Sequence, residues 1–263
     1  MHSSTLLTIL GVLLSIFVPL YRIQSLHKKR IWNLSIQQIT YLILIPGIVF
    51  PTVFSYLQSM LRLPRSKMTI FSDGLLVNII LLSMMFSYGG IAMHAVTKMF
   101  SEYLRKENNE LAQINKFFHL TFSHNLIYSG IIISSLGITL LEINHIPNDG
   151  VSSIYTGILR GLILGVSFAT FIYYYTRASS DSYKGRWGDL KVFFGILWVG
   201  FSILLFVIQK FDIGLTEYQL LIPMLLSFSL VVGLSLILVI KRLKNGGFRL
   251  NFKKKIGKIL KLN

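Results

Sequence analysis

The chain has 263 residues, of which 53% are hydrophobic and 14% are charged, and its net charge is +16. A soluble domain usually has about 25% charged residues and has too little interior to bury so much apolar surface. Cysteine is absent, which excludes disulfides, thiolate catalysis and cysteine-ligated metals. The composition therefore predicts one domain folded in a lipid bilayer, where helices satisfy their own backbone polar groups.

Seven apolar segments follow one another along the chain. A helix needs roughly 20 residues to cross the hydrocarbon core of a bilayer, so each segment is a candidate transmembrane helix. We predict an all-α, polytopic membrane protein with a seven-helix domain over residues 1–243 and a basic tail over residues 244–263. The segments are Leu6–Tyr21, Ile39–Leu57, Gly74–Thr97, Phe117–Leu141, Ile154–Tyr175, Val192–Ile208 and Tyr218–Ile240.

Basic residues concentrate on one side of this arrangement. The connections after the first, third and fifth segments hold four each and the stretch after the seventh holds nine, whereas the opposite connections hold four in total. Because lysine and arginine favour the cytoplasmic side, we predict an outside N-terminus and a cytoplasmic C-terminus. The predicted location is a cell membrane, the plasma membrane of a prokaryote, with an endomembrane as the alternative. If Pro46 and Pro51 kept the second segment from crossing, six spans would remain and Arg62–Lys67 would lie inside.

The tail combines an apolar stripe with many lysines. The apolar residues recur at helical spacing and lysines fill the other faces, which is typical of a helix that lies on an anionic leaflet. A disordered basic tail that only enforces orientation is the alternative. Nucleic-acid binding is disfavoured, because neither aromatic interleaving nor a fold motif supports it. The stripe is Phe252, Ile256, Ile259 and Leu260, and the predicted headgroup contacts are Lys253, Lys254, Lys255 and Lys258.

A row of small residues lies on one face of the fifth segment: Gly157, Gly161, Gly165 and Ala169. Small residues let a second helix backbone approach closely in lipid. The neighbour is either another helix of this chain or another subunit, which would be a partner protein or a second copy.

Arg160 lies beside that row, about two turns from the outer end of the segment. A charge at this depth is costly, so we expect the side chain to reach outward or to pair with an acidic group. Asp73 and Glu142, at the outer ends of the third and fourth segments, are the candidates. Contact with an anion or a substrate is the alternative.

The third and fourth segments are predicted to form a long antiparallel hairpin. The stretch between them, Ser101–Lys116, is polar but compatible with a helix, and Asn108 and Asn109 are the natural turn. His94 and His124 lie at similar distances from that turn, about 22 Å at a helical rise per residue, near the inner interface.

Each of these histidines shares a helix face with other polar side chains, including Ser87 and Tyr128. We expect the two faces to meet or to border a shared cavity that handles a ligand or a proton. Ligation of haem b or a metal by His94 and His124 is a further alternative, although a zinc site normally has three or four ligands. His119 is predicted to point about 140° away from His124 around the helix, which makes it a less favourable partner.

The cytoplasmic connection Arg177–Lys191 mixes hydroxyl groups, basic residues and glycines. This composition suits a phosphate or lipid headgroup, or else an ordinary basic loop. The chain contains no GxxxxGK[ST], HExxH or GxSxG motif, so no catalytic constellation is predicted.

The main hypothesis is therefore a non-enzymatic seven-helix subunit that binds a ligand, lipids of the anionic inner leaflet or a partner protein, without a resident cofactor. One alternative is a membrane redox or proton-coupled protein that uses the two histidines. Another is a small transporter or a lipid-modifying enzyme, with Arg160 or the Arg177–Lys191 connection on its substrate.

Overall fold

The computed structural model describes residues 29–31, 34–66, 69–104, 110–145, 153–177 and 186–244, together with Ile9 and Gly11. Within these residues six helices are long and apolar enough to cross a membrane. A short antiparallel hairpin, β1 (Arg30–Ile31) and β2 (Leu34–Ser35), precedes them. The helices are α1 (Ile36–Leu61), α2 (Asp73–Leu104), α3 (Glu110–Ile143), α4 (Ile154–Arg177), α5 (Lys191–Phe211) and α6 (Leu221–Lys244).

These six helices correspond to the second to seventh predicted segments, which confirms the helical, multi-pass membrane architecture. The first segment lies outside the described residues apart from Ile9 and Gly11, and so do the tail lysines Lys253, Lys254, Lys255 and Lys258. The seventh span and the surface helix of the tail therefore stay predictions. The second segment is longer than predicted: it forms 26 residues of helix and is long enough to span despite Pro51 in its interior.

Helices α2 and α3 pack against each other along much of their length, as the predicted hairpin requires. Glycines allow the close approach at two levels. A Cβ atom at Gly90 would lie 2.9 Å from the carbonyl oxygen of Ser123, and one at Gly130 would lie 2.5 Å from the carbonyl oxygen of Ser83. The backbones of the two helices are therefore in direct contact, a packing mode that lipid-embedded helices favour.

The row of small residues in α4 packs against α6 of the same chain. Each glycine faces a side chain of α6 so closely that a Cβ atom would crowd it. The sequence allowed either a helix of the same chain or another subunit as the neighbour of this row. In the structure the row lies in an interface between two helices of the same chain. The closest approaches are Gly157 to Ile222 at 3.1 Å, Gly161 to Leu226 at 2.8 Å and Gly165 to Leu230 at 2.6 Å. Ala169 packs beside a buried apolar cluster.

Two buried apolar clusters, one towards each end of the helices, hold α1 to α6 together. Both draw residues from α3, α5 and α6. Fully buried members of the first include Tyr56, Leu76, Ile80, Leu141, Leu204 and Leu221, and those of the second include Ile172, Phe193, Leu197 and Val231.

Asn144, which follows α3, anchors the connection between α1 and α2. Its side-chain oxygen accepts from the Ile70 N–H at 3.0 Å, and its amide nitrogen donates to Phe71 O at 2.6 Å and to Asp73 Oδ1 at 3.0 Å. Its carbonyl oxygen accepts from the Ser66 N–H at 2.8 Å. We call this end of the helices the asparagine end, and the opposite end, which carries His94, the histidine end.

Candidate functional site

A cavity of about 380 Å³ lies beside the α2–α3 pair, and residues of α1, α4 and α6 together with Gly11 also line it. Its lining runs in α2 from Met84 to Ala95, a helical distance of about 16.5 Å. Most of the lining is apolar, with Val53, Phe168 and Phe228 among its side chains. This volume and composition are those of a small-molecule site, which is typically apolar with a few placed polar groups.

The cavity lies beside α2 and α3 rather than between their backbones. Gly90 and Gly130 bring those helices into contact, and Ser87 Oγ donates across the contact to Ile127 O at 3.1 Å. Because no space is left between the two backbones, the cavity forms on the side that faces α1, α4 and α6. Ser87, His94, His124 and Tyr128, the four hairpin residues singled out from the sequence, all line it.

The polar lining residues at the histidine end come from three helices. His94 belongs to α2, His124 and Tyr128 belong to α3, and Gln38 and Tyr41 belong to α1. Gln38 Nε2 donates to Ala95 O at 3.0 Å, which ties α1 to α2 beside His94. The histidine end therefore supplies the imidazole and amide groups of the lining, while hydroxyl groups such as those of Ser134, Ser135 and Ser227 lie elsewhere along a mostly apolar cavity.

Three histidine rings meet at this end. The ring centroids of His94 and His124 are 4.8 Å apart and edge to face, and those of His94 and His119 are 4.3 Å apart and stacked. The centroids of His119 and His124 are 6.5 Å apart. We call these residues the histidine cluster.

The expectation that His119 is a poor partner was wrong. It assumed regular α-helix from His119 to His124, but residues Phe117–Phe122 form a π-helical turn. A π turn contains more residues than an α turn, so it reduces the rotation between successive side chains. His119 is thereby brought round to the side of α3 that faces α2, where it stacks on His94. Such turns are frequent at functional sites.

Backbone contacts fix the hydrogen positions in part of the cluster. His94 Nδ1 lies 3.3 Å from His119 O, and since a carbonyl oxygen only accepts, Nδ1 carries the hydrogen. In the neutral ring, Nε2 then keeps its lone pair. The Thr97 hydroxyl donates to Met93 O at 2.6 Å, so His119 Nδ1, 3.2 Å from Thr97 Oγ1, donates to that oxygen.

A series of polar side chains continues from the cluster towards the turn of the hairpin. Thr97 contacts His119, and Asn115 Nδ2 donates to Thr97 O at 3.0 Å and to Ser101 Oγ at 2.9 Å. Thr97 and Ser101 belong to α2 and Asn115 belongs to the first part of α3, and all three are partly exposed. We call Thr97, Ser101 and Asn115 the polar track, because it connects the histidine cluster with the end of the hairpin.

Aromatic and amide side chains hold His124 in place. Its ring centroid lies 4.6 Å from that of Tyr175, whose hydroxyl donates to Leu120 O at 2.6 Å. The next residue, Asn125, accepts from the Phe193 N–H at 2.9 Å and donates to Asp189 O. His124 is thus fixed between α4 and the start of α5, and neither Tyr175 nor Asn125 had a spacing in the sequence that marked it.

The two predicted acidic partners of Arg160 have well-defined roles at the asparagine end. Asp73 Oδ2 lies 2.8 Å from Arg65 NH2 and 3.5 Å from His145 Nε2. Glu142, which is 2% exposed, accepts from the backbone N–H groups of Gln219 and Leu220 at 3.2 and 2.9 Å. Both carboxylates therefore serve this end of the fold, and an ion pair with Arg160, which is half-buried in α4, stays a prediction.

His145 and Tyr218 complete the asparagine end. His145 is 2% exposed and its Nδ1 donates to Leu63 O at 3.1 Å. The Tyr218 hydroxyl donates to Ile143 O at 3.3 Å, and burial raises the pKa of this phenol, so it stays protonated. These groups pair mainly with backbone, which indicates a structural role.

Ligation of a metal ion or of haem makes specific demands on this geometry. Among the residues that the structure describes, no group of three or more His, Asp or Glu side chains is arranged to hold a metal ion. A haem iron between His94 and His124 would need both rings to point nitrogen atoms at it from opposite sides, whereas these rings meet edge to face. Haem ligation would therefore require at least one of the two side chains to move.

Comparison of the chain with protein-family models, curated proteins and solved structures finds no match. Its function has to be inferred from the cavity and the side chains around it.

Proposed function

We propose that this chain is a multi-pass membrane protein that binds an amphiphilic ligand inside the membrane. The ligand's apolar body would fill the cavity, and its polar group would lie at the histidine end. The observation that carries the proposal is the cavity itself: about 380 Å³ of mostly apolar space whose polar groups include His94, His124 and Tyr128. An empty apolar space of this size would forfeit many packing contacts, so an occupant would stabilise the fold.

Filling the cavity tests this proposal. Ser135 lines it and Ser229 is exposed on α6, so Ser135→Phe and Ser229→Phe make the same change inside and outside the cavity. We expect native mass spectrometry of the detergent-purified protein to show a bound amphiphile in the wild type and in Ser229→Phe, and at least tenfold lower occupancy in Ser135→Phe. Equal occupancy in all three proteins would place the ligand elsewhere and refute the proposal.

We also propose seven spans with the C-terminus in the cytoplasm, which puts the histidine end on the cytoplasmic side. The support is the strong bias of basic residues towards the connections at that end and the tail. Contacts of the tail lysines with anionic inner-leaflet lipids, and a protein partner on another surface, belong to the same proposal. Reporter fusions at both termini test it, because an N-terminus and a C-terminus on the same side would contradict it.

A second candidate function is proton-coupled or redox chemistry at the histidine cluster. It is favoured by the contact of three imidazole rings with the polar track. The redox form is tested by the absorption spectrum of the purified protein, in which bound haem gives a Soret band. A colourless preparation would remove haem from consideration and leave the proton-coupled form.

A further inference from the structure

We infer that the ligand of the cavity is an acidic amphiphile, a single alkyl chain with one carboxylate, and that it binds together with one proton on the histidine cluster. This inference rests on the proposed ligand-binding function and names the chemical class of the ligand. It joins three features of the structure: the charge of the cavity lining, the crowding of the imidazole rings and the polar track.

The lining of the cavity favours an anion. Among its described residues there is no Asp or Glu, whereas His94 and His124 both reach it. Lys98 follows His94 one turn later on the same helix and acts on it electrostatically, so it adds positive charge near this end of the cavity. A carboxylate placed here would be attracted, and a cationic headgroup would be repelled.

The crowding of the rings limits the cluster to one charge. Imidazolium ions whose ring centroids are 4.3 to 4.8 Å apart repel one another strongly in a poorly solvated site, so only one of the rings is protonated at a time. One imidazolium neutralises one carboxylate. A phosphate monoester would bring more charge than a single proton can balance, and for this reason we favour a carboxylate.

Groups from several neighbouring elements lie close to the bound proton. Lys98 on α2 opposes it, the rings of Tyr128 on α3 and Tyr175 on α4 pack against His124, and Tyr41 of α1 lines the same cavity. Just before α5, Asp189 accepts through its backbone oxygen from the side chain of Asn125, the residue after His124.

The polar track gives the cluster a route for proton exchange. Neutral His94 keeps its proton acceptor at Nε2, as its contact with His119 O requires, and His119 stacks on it from the side of Thr97. From Thr97 the track continues through Asn115 and Ser101. A proton can therefore reach the cluster from the hairpin end while the alkyl chain occupies the apolar part of the cavity.

The test uses two probes with the same alkyl chain in the full-length protein in nanodiscs. Dodecane-1-sulfonate stays anionic at every pH used, so a change in its affinity reports on the protein and not on the probe. Dodecan-1-ol has no charge. We expect sulfonate affinity to fall about tenfold for each pH unit above the titration of the cluster, as the uptake of one proton requires, and dodecanol affinity to be independent of pH.

Matched histidine substitutions complete the test. We expect His94→Gln and His124→Gln to lose the pH dependence of sulfonate binding, and His145→Gln, at the asparagine end, to keep it; dodecanol binding by each variant shows that the cavity is intact. The inference is overturned if dodecanol binds but the affinity for sulfonate is no higher than that for dodecanol and does not change with pH. In that case the ligand-binding function of the cavity still stands. If neither probe binds the wild type, the proposed function itself fails.

Discussion

The neighbouring glycines at positions 89 and 90 make a sharp test of the α2–α3 contact. Gly89 is exposed and a Cβ atom there meets nothing within 4 Å, whereas a Cβ atom at Gly90 would lie 2.9 Å from Ser123 O and 3.0 Å from Ile127 N. Two of the atoms that Gly90→Ala would crowd belong to the backbone of α3, so no side-chain rotation relieves the contact. The helices would have to separate by about 0.5 Å to restore an ordinary distance of 3.4 Å.

Both substitutions gain the same helix propensity, roughly up to 1 kcal/mol, so their difference isolates the packing cost. Overpacking of this kind costs about 1–3 kcal/mol. We therefore expect the free energy of unfolding of Gly90→Ala to be lower than that of Gly89→Ala by that amount, measured by titrating the detergent-solubilised protein with sodium dodecyl sulfate. Equal stability of the two variants would show that α2 and α3 are farther apart than in the structure. The positions of the histidine rings, which depend on this helix contact, would then also be wrong.

Two further substitutions test the asparagine end by the same titration. Asn144→Ala removes the side chain that contacts Ile70, Phe71 and Asp73. We expect the free energy of unfolding to fall by about 2–3 kcal/mol, because buried partners lose their hydrogen bonds. A decrease of less than about 0.5 kcal/mol would mean that water replaces these bonds. Glu142→Ala leaves the backbone N–H groups of Gln219 and Leu220 without their acceptor, and we expect about 2 kcal/mol of destabilisation, with Glu142→Gln less affected because its amide oxygen still accepts.

The sequence was sufficient for the six long helices that the structure describes, because in lipid each long apolar segment must form its own hydrogen bonds. Counting residues from the predicted turn also placed His94 and His124 at the same level, and the spacing of Gly157, Gly161 and Gly165 predicted a close helix contact. These inferences depend only on helical geometry, which a bilayer enforces strongly.

The remaining features depend on contacts that local sequence does not encode. The π turn at Phe117–Phe122 changes the direction of His119, and no residue in that stretch marks it. Asp73 finds Arg65 and Asn144 because the α1–α2 connection folds over the end of α3, which no spacing predicts. The cavity is the space that α1, α2, α3, α4 and α6 leave unfilled between them. Its position can be found only from the packed structure.

The position of the ligand tests the central claim most directly. A dodecanoate analogue with a diazirine in its alkyl chain, bound to the wild-type protein in nanodiscs and activated by light, should label the cavity residues Ile132, Phe168 and Phe228. Excess dodecanoate should suppress that labelling. Labelling confined to lipid-facing residues such as Met85 and Phe206, which are 66% and 60% exposed, and unaffected by competitor would contradict the account.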